Sequence, residues 1–189
     1  MNEVRTTRVW DLLVRIFHWA VVLGFFTAYF VEPEESPVHV VAGYIVLGLV
    51  LVRLVWGVVG PRYARFSDFI YRPSLVLLDL AGAVRFRAKR YLGHSPGGGA
   101  MVLVLLIALL ATTVSGLMVY GADQHAGPLA NWMVGASEQT EHTLEEVHET
   151  LANVTLALVV LHVIGVIVAS FSHRENLVKA MFSGYKRSE

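Results

Sequence analysis

Four stretches of this chain are apolar for twenty residues or more, and polar residues gather between them. They run from about Val9 to Val31, Val38 to Val59, Gly97 to Gly121 and Leu144 to Phe171. A helix needs about 20 apolar residues to cross the hydrocarbon core, so each stretch is long enough to span it. A backbone in lipid must satisfy its own hydrogen bonds, which favours helices. The pattern predicts an all-α integral membrane four-helix bundle, one domain over residues 1–189. The first stretch is too long for a signal-peptide core, contains Arg15 and His18, and has no small-residue cleavage pattern, so it reads as a retained helix.

The segments between the stretches add detail. In the loop from Pro61 to Pro96, Pro73 and Ser74 suit a helix start. Leu75 to Phe86 is apolar with a basic tail, too short to span, and reads as an interfacial helix with Arg85, Arg87, Lys89 and Arg90 near lipid headgroups. Gly93-His-Ser-Pro-Gly-Gly-Gly99 then breaks the chain. No Gly-Lys-Ser/Thr follows, so this is not a phosphate loop. The loop from Ala122 to Thr143 holds a short interfacial helix near Pro128–Val134, with Trp132 at headgroup level.

Charge gives the orientation. All fifteen Lys and Arg residues fall near the N-terminus, at the end of the second stretch, in the loop that follows it, or at the C-terminus. The loops on the other side carry Glu32, Glu34, Glu35, Asp123, Glu138, Glu141, Glu145, Glu146 and Glu149. By the positive-inside rule both termini are expected in the cytoplasm. Charged residues make up 16% of the chain, against roughly 25% in soluble domains, and mean hydropathy is +0.57. There is no cysteine. That excludes disulfides, Cys-ligated iron–sulfur clusters, a thiolate nucleophile and thioether-attached haem.

Histidines carry the candidate chemistry. His148 and His162 are fourteen residues apart in the fourth stretch. That is almost four helical turns, so they share a face, roughly 21 Å apart at about 1.5 Å per residue. His18 and His162 each lie about 13 Å from the cytoplasmic end of their helices, and His39 and His148 lie within the outermost turns. A lone intramembrane histidine more often makes an interhelical hydrogen bond. Four at two matched depths are the usual means of holding two b-type haems, as the pairs His18–His162 and His39–His148. Such haems are bis-histidine and non-covalent, with no open site for O₂. Each ligand's second ring nitrogen needs an acceptor, and the carbonyls of Val14 and Leu158 are the nearest for His18 and His162.

Other candidates surround these four. Gly43, Ala152 and Gly165 lie one turn from ligands and either leave room for a porphyrin or allow close helix contact. Arg53 is fourteen residues after His39, at the depth of the cytoplasmic pair. A buried arginine needs an anion, and a haem propionate is the expected partner; the alternative is snorkelling to the headgroups. Arg15 is a second such candidate. Met118 and Met133 read as packing residues. His94, His125, His142 and His173 read as loop or membrane-edge residues, solvated or facing lipid, with His94 and His142 as minor candidates for contact with a quinone or a propionate.

Several segments together resemble the bacterial cytochrome b561 family and the b-type cytochrome subunit of nickel–iron hydrogenases. They are Val14-Arg-Ile-Phe-His18-Trp, Val38-His39-Val-Val-Ala-Gly-Tyr44, Arg53-Leu-Val-Trp56, Gly60-Pro-Arg-Tyr-Ala-Arg-Phe66, Gly93-His-Ser-Pro96 and Glu146-Val-His148-Glu-Thr-Leu151. The resemblance runs over nearly the whole chain and implies two haem b groups on the four histidines. It also implies electron exchange with the quinone pool in a bacterial inner membrane. The expected partners are the lipid bilayer, quinone and a periplasmic c-type cytochrome or hydrogenase-like enzyme; nucleic acid is not expected, and a homodimer stays open. Two other functions stand beside this electron conduit. One is a superoxide:quinone oxidoreductase acting alone, which the His148-Glu-Thr-Leu-Ala stretch resembles. The other is a transporter or anchor using histidines as proton relays, which would show no haem α-band.

Overall fold

The computed structural model describes residues 5–31 and 37–188. Glu32, Glu34 and Glu35 lie outside them. In chain order the elements are β1 (Thr6–Arg8), α1 (Leu12–Phe30), α2 (Pro37–Val59), α3 (Pro73–Val84), α4 (Pro96–Asp123), α5 (Ala130–Met133), α6 (Glu138–Ser172), α7 (Leu177–Ser183) and β2 (Tyr185–Arg187). Four of these, α1, α2, α4 and α6, are long and apolar enough to cross a membrane. Only 6% of the most apolar window of α6 is buried within the chain, so most of its apolar surface needs lipid around it.

Local chemistry sets the helix ends. Asp11 Oδ1 accepts the Val14 N–H at 3.1 Å, an N-cap that starts α1 three residues later than the hydrophobic pattern suggests. Val9 and Trp10 instead donate their N–H groups to the Gly184 carbonyl. Ser137 caps α6, its Oγ accepting from Thr140 N–H at 3.3 Å. The polar Ser137–His142 run is therefore helical rather than loop. Asp79 on α3 accepts the Gly97 N–H at 2.9 Å and so caps the first turn of α4.

The chain folds as two compact units. The first comprises Met1–Trp19, Leu51–Val104 and Val160–Glu189. Its core cluster is Val9, Trp10, Val14, Ala64 and Ala180, with Trp56, Tyr63 and Met181 packed on it. Here β1 pairs antiparallel with β2, Thr7 opposite Lys186, a small ladder the hydrophobic pattern did not announce. Gly184 makes the ladder's entry possible. It ends α7 at φ 86°, a left-handed backbone that favours glycine, and a Cβ there would press on the Trp10 carbonyl. A buried ion cluster holds β2 in place. Arg90 donates to both Glu175 oxygens at 3.2 and 3.0 Å, Arg187 N–H reaches the same carboxylate at 3.1 Å, and Lys186 Nζ sits 3.7 Å from it.

The second unit comprises Ala20–Val50 and Leu105–Val159. Polar bridges tie its helices. Tyr29 donates to Asn153 Oδ1 at 2.6 Å, joining α1 to α6. Thr112 and Thr155 share a buried hydrogen bond of 3.0 Å between α4 and α6. Gly24 meets Val46, bringing α1 and α2 close.

Candidate functional site

The structure brings the four intramembrane histidines together in the two expected pairs. The rings of His18 and His162 have centroids 6.5 Å apart, and those of His39 and His148 are 6.1 Å apart. An imidazole nitrogen binds a first-row metal at about 2.0–2.1 Å, so one ion between two rings sets the nitrogens about 4 Å apart and the centroids about 6 Å apart. Both pairs fit that spacing. Among the described residues no cluster of three or more His, Asp or Glu is placed to hold a metal. A pair of imidazoles would leave a metal's remaining positions to another group, such as a porphyrin.

The His39–His148 pair is fully built. His39 Nδ1 lies 2.8 Å from the Ala28 carbonyl at the end of α1. His148 Nδ1 lies 3.0 Å from both the Thr112 carbonyl and Ser115 Oγ on α4. A carbonyl can only accept, so each Nδ1 carries the proton and each Nε2 keeps its lone pair for a metal. Gly116 lies flat against the His148 ring, where a Cβ would stand 2.9 Å from Cε1. Beside the pair is a cavity of about 100 Å³, part of it open to the outside. Its walls include Phe25, Tyr29, Gly43, Tyr44, Leu109 and Tyr120. A Cβ added at Gly43 would meet nothing within 4 Å. Gly43 therefore opens space instead of allowing close helix contact, and the same holds for Gly165.

The His18–His162 pair differs. His18 Nδ1 is buried with no partner, so the Val14 carbonyl is not its acceptor. Both residues lie in α1, where the Val14 carbonyl serves the helix's own backbone ladder, and the His18 ring stands edge-on to Trp19. Trp19 stacks on Phe182 of α7 with centroids 4.2 Å apart.

Arg53 is 3% exposed, which excludes snorkelling. Its NH2 donates to the Ala64 carbonyl at 3.0 Å, its guanidinium lies over Phe66, and its NH1 is buried without a partner. Phe66 in turn rests on Gly57, one turn beyond Arg53, where any Cβ would overlap its ring. Arg15 has a different commitment: its NH1 donates to the Phe182 carbonyl at the end of α7.

The remaining histidines divide. His125 is exposed. His142 lies in α6, not in a loop, exposed and 3.7 Å from Glu146. His173 follows α6, and its carbonyl lies 3.4 Å from Arg187 NH2. His94 is only partly exposed, packed among aromatic rings. Its ring sits 4.4 Å from Phe69 and 4.7 Å from Trp10, and its Nδ1 is sealed off. Burial pushes the imidazole down to about 3, with the charges of Arg53, Lys186 and His162 acting in the same direction. Sequence reasoning missed Ala28, Thr112, Ser115 and Gly116. A serine and a glycine inside a span were the available signal.

Comparison with known proteins agrees with this architecture. A family model described as prokaryotic cytochrome b561 matches residues 9–184. A probable Ni/Fe-hydrogenase B-type cytochrome subunit of Rhizobium leguminosarum bv. viciae is 23% identical over 216 residues, covering 96% of this chain and 89% of that protein. A protein of the same description from Azotobacter vinelandii is 26% identical over 214 residues, covering 94% and 87%. No solved structure matches. With four helices able to span a membrane and a family match from before α1 to the end of α7, the chain belongs to the prokaryotic cytochrome b561 family, as a membrane b-type cytochrome of electron transfer.

Proposed function

We propose that the chain holds two haem b groups, one between His18 and His162 and one between His39 and His148, and conducts electrons between a periplasmic partner and the quinone pool. The observation that carries this is the pair of ring separations, 6.5 and 6.1 Å. When bound, haem supplies a one-electron couple whose potential follows its ligands and surroundings. The protein's part is to present the nitrogens, exclude other ligands and set the local charge. Ala28, Thr112 and Ser115 fix the tautomers of His39 and His148. Gly43 and Gly165 leave open space beside their helices. Arg53 offers a buried cation to a propionate at the His18–His162 pair.

Orientation follows from charge. The basic side, with both termini, faces the cytoplasm, so the His18–His162 haem is the inner one and His39–His148 the outer. The likeness to two probable Ni/Fe-hydrogenase B-type cytochrome subunits favours a hydrogenase-like partner. The test is a reduced-minus-oxidised spectrum and haem quantitation on the purified protein, which should give two low-spin haems per chain, both extracted by acid acetone. His162→Ala should remove the inner haem and spare the outer; His148→Ala should do the reverse. Two low-spin haems persisting in either variant would break the pairing.

A further inference from the structure

All the buried side-chain nitrogen and oxygen atoms left without a partner among the described residues lie in the first unit. They are Arg15 Nε, His18 Nδ1, Trp19 Nε1, Arg53 NH1, His94 Nδ1 and Ser172 Oγ. Buried polar groups are normally paired, so a cluster of exceptions points to something the site is built to receive. The arginine and tryptophan nitrogens can only donate, so what they await is an acceptor.

Two of these groups lie at the two ends of one run of aromatic contacts. The Arg53 guanidinium lies 5.1 Å over Phe66. Phe66 lies 5.7 Å from Phe69, and Phe69 lies 4.4 Å from His94. Arg53 forms no ion pair within 4 Å among the described residues. Asp11, whose charge it feels, already accepts from Val14 N–H and Trp56 Nε1. A neutral acceptor such as a quinone carbonyl would leave the buried guanidinium uncompensated. A carboxylate neutralises it and has lone pairs for a second donor.

We infer that His94 is the second donor, binding with Arg53 a single carboxylate of the haem proposed at the His18–His162 pair. This rests on that haem reading. His94 is kept neutral by its surroundings, and a neutral imidazole still donates one N–H. The Gly-His-Ser-Pro turn thus places a cofactor-binding group just ahead of α4. Gly99, where a Cβ would collide with the Phe69 carbonyl, lets α4 approach closely enough to hold that run of contacts.

The test is an optical redox titration of the intact haem-loaded protein, resolved into its two components, with haem content measured alongside. His94→Leu should make one component more ferric at a fixed poise, by several-fold up to about tenfold, or 59 mV for a one-electron couple. The other component should not move. His94→Gln, which keeps an N–H donor, should shift much less. Arg53→Leu combined with His94→Leu should shift less than the two single changes added. Loss of one haem in His94→Leu with both kept in His94→Gln is the same result in stronger form. A His94→Leu titration superimposable on wild type with two haems bound overturns this inference alone, as does an equal shift of both components. Haem loss and lowered thermal stability in both His94 variants mark a packing role and overturn it too. A wild-type protein without haem would overturn the earlier reading, and this one with it.

Discussion

Gly116→Ala places one methyl group where the structure has least room for it. The added Cβ would meet His148 at 2.9 Å from Cε1, 3.3 Å from Nδ1 and 3.5 Å from Nε2. Carbon atoms rest at about 3.5–4.0 Å, so the ring must retreat by roughly 0.6 Å. It is not free to do so, because Nδ1 is held at 3.0 Å by Thr112 O and Ser115 Oγ on the same helix. Overpacking of this kind costs about 1–3 kcal/mol. Alanine returns up to about 1 kcal/mol through helix propensity, leaving a net loss of about 0–2 kcal/mol. Disturbing groups that orient a metal-bound histidine typically lowers affinity about 10–100-fold. The expected outcome is selective: the outer haem is weakened or lost and the inner one is untouched. Haem quantitation with a resolved redox titration reads this directly. Gly48→Ala is the control, since a Cβ there meets nothing within 4 Å, and it should keep both haems. A Gly116→Ala protein with two haems and wild-type potentials would refute the reasoning.

Three further outcomes follow from the same geometry. Arg53→Leu should lower the inner haem's potential; at an effective dielectric of about 20 and a separation of about 10 Å the lost charge is worth about 1.7 kcal/mol, or roughly 70 mV, and an unchanged inner potential would remove Arg53 from the site. The outer haem should have the lower potential, because both its ligands donate to oxygen acceptors and its unit contains no Lys or Arg, both of which favour ferric iron; titration of the His162→Ala and His148→Ala proteins checks the order. Glu175→Gln should cost about 3 kcal/mol by leaving Lys186 buried without its anion, read as a lower unfolding temperature in detergent. Burial raises the Glu175 carboxyl, but the Arg90 hydrogen bonds, the Lys186 charge and the Arg187 N–H outweigh it and hold it below the usual range. Its contribution is therefore full above the ordinary carboxylate value and fades as pH falls through the lowered one, so the difference between Glu175→Gln and wild type should shrink in acid.

Sequence alone went furthest where one physical demand dominates. Lipid requires unbroken apolar helices, and all four spans were legible. Helical periodicity put His148 and His162 on one face, and depth paired them with His39 and His18. Legibility failed where a local hydrogen bond decides. Asp11 and Ser137 shift two helix ends by capping them, which hydropathy does not register. His94 looked solvated because its neighbours are glycine, serine and proline; its burial comes from Phe69 and Trp10, distant in sequence. The acceptors for His39 and His148 are carbonyls and a hydroxyl on other helices, and backbone carbonyls have no sequence signature. The short ladder joins residues about 180 positions apart, beyond any local pattern.

That ladder has a consequence for biosynthesis. Strand β1 is made well before Tyr185–Arg187 and has no ladder partner until they follow. The second unit ends at Val159, and the first needs the stretch from Val160 onward. At about 5–20 residues per second, the ribosome takes a few seconds over that stretch. His39 and His148 are both available during that interval, whereas His18 waits beside an unfinished α7 and β2. The segments that carry His39 and His148 are thus complete in the chain before those that close the first unit.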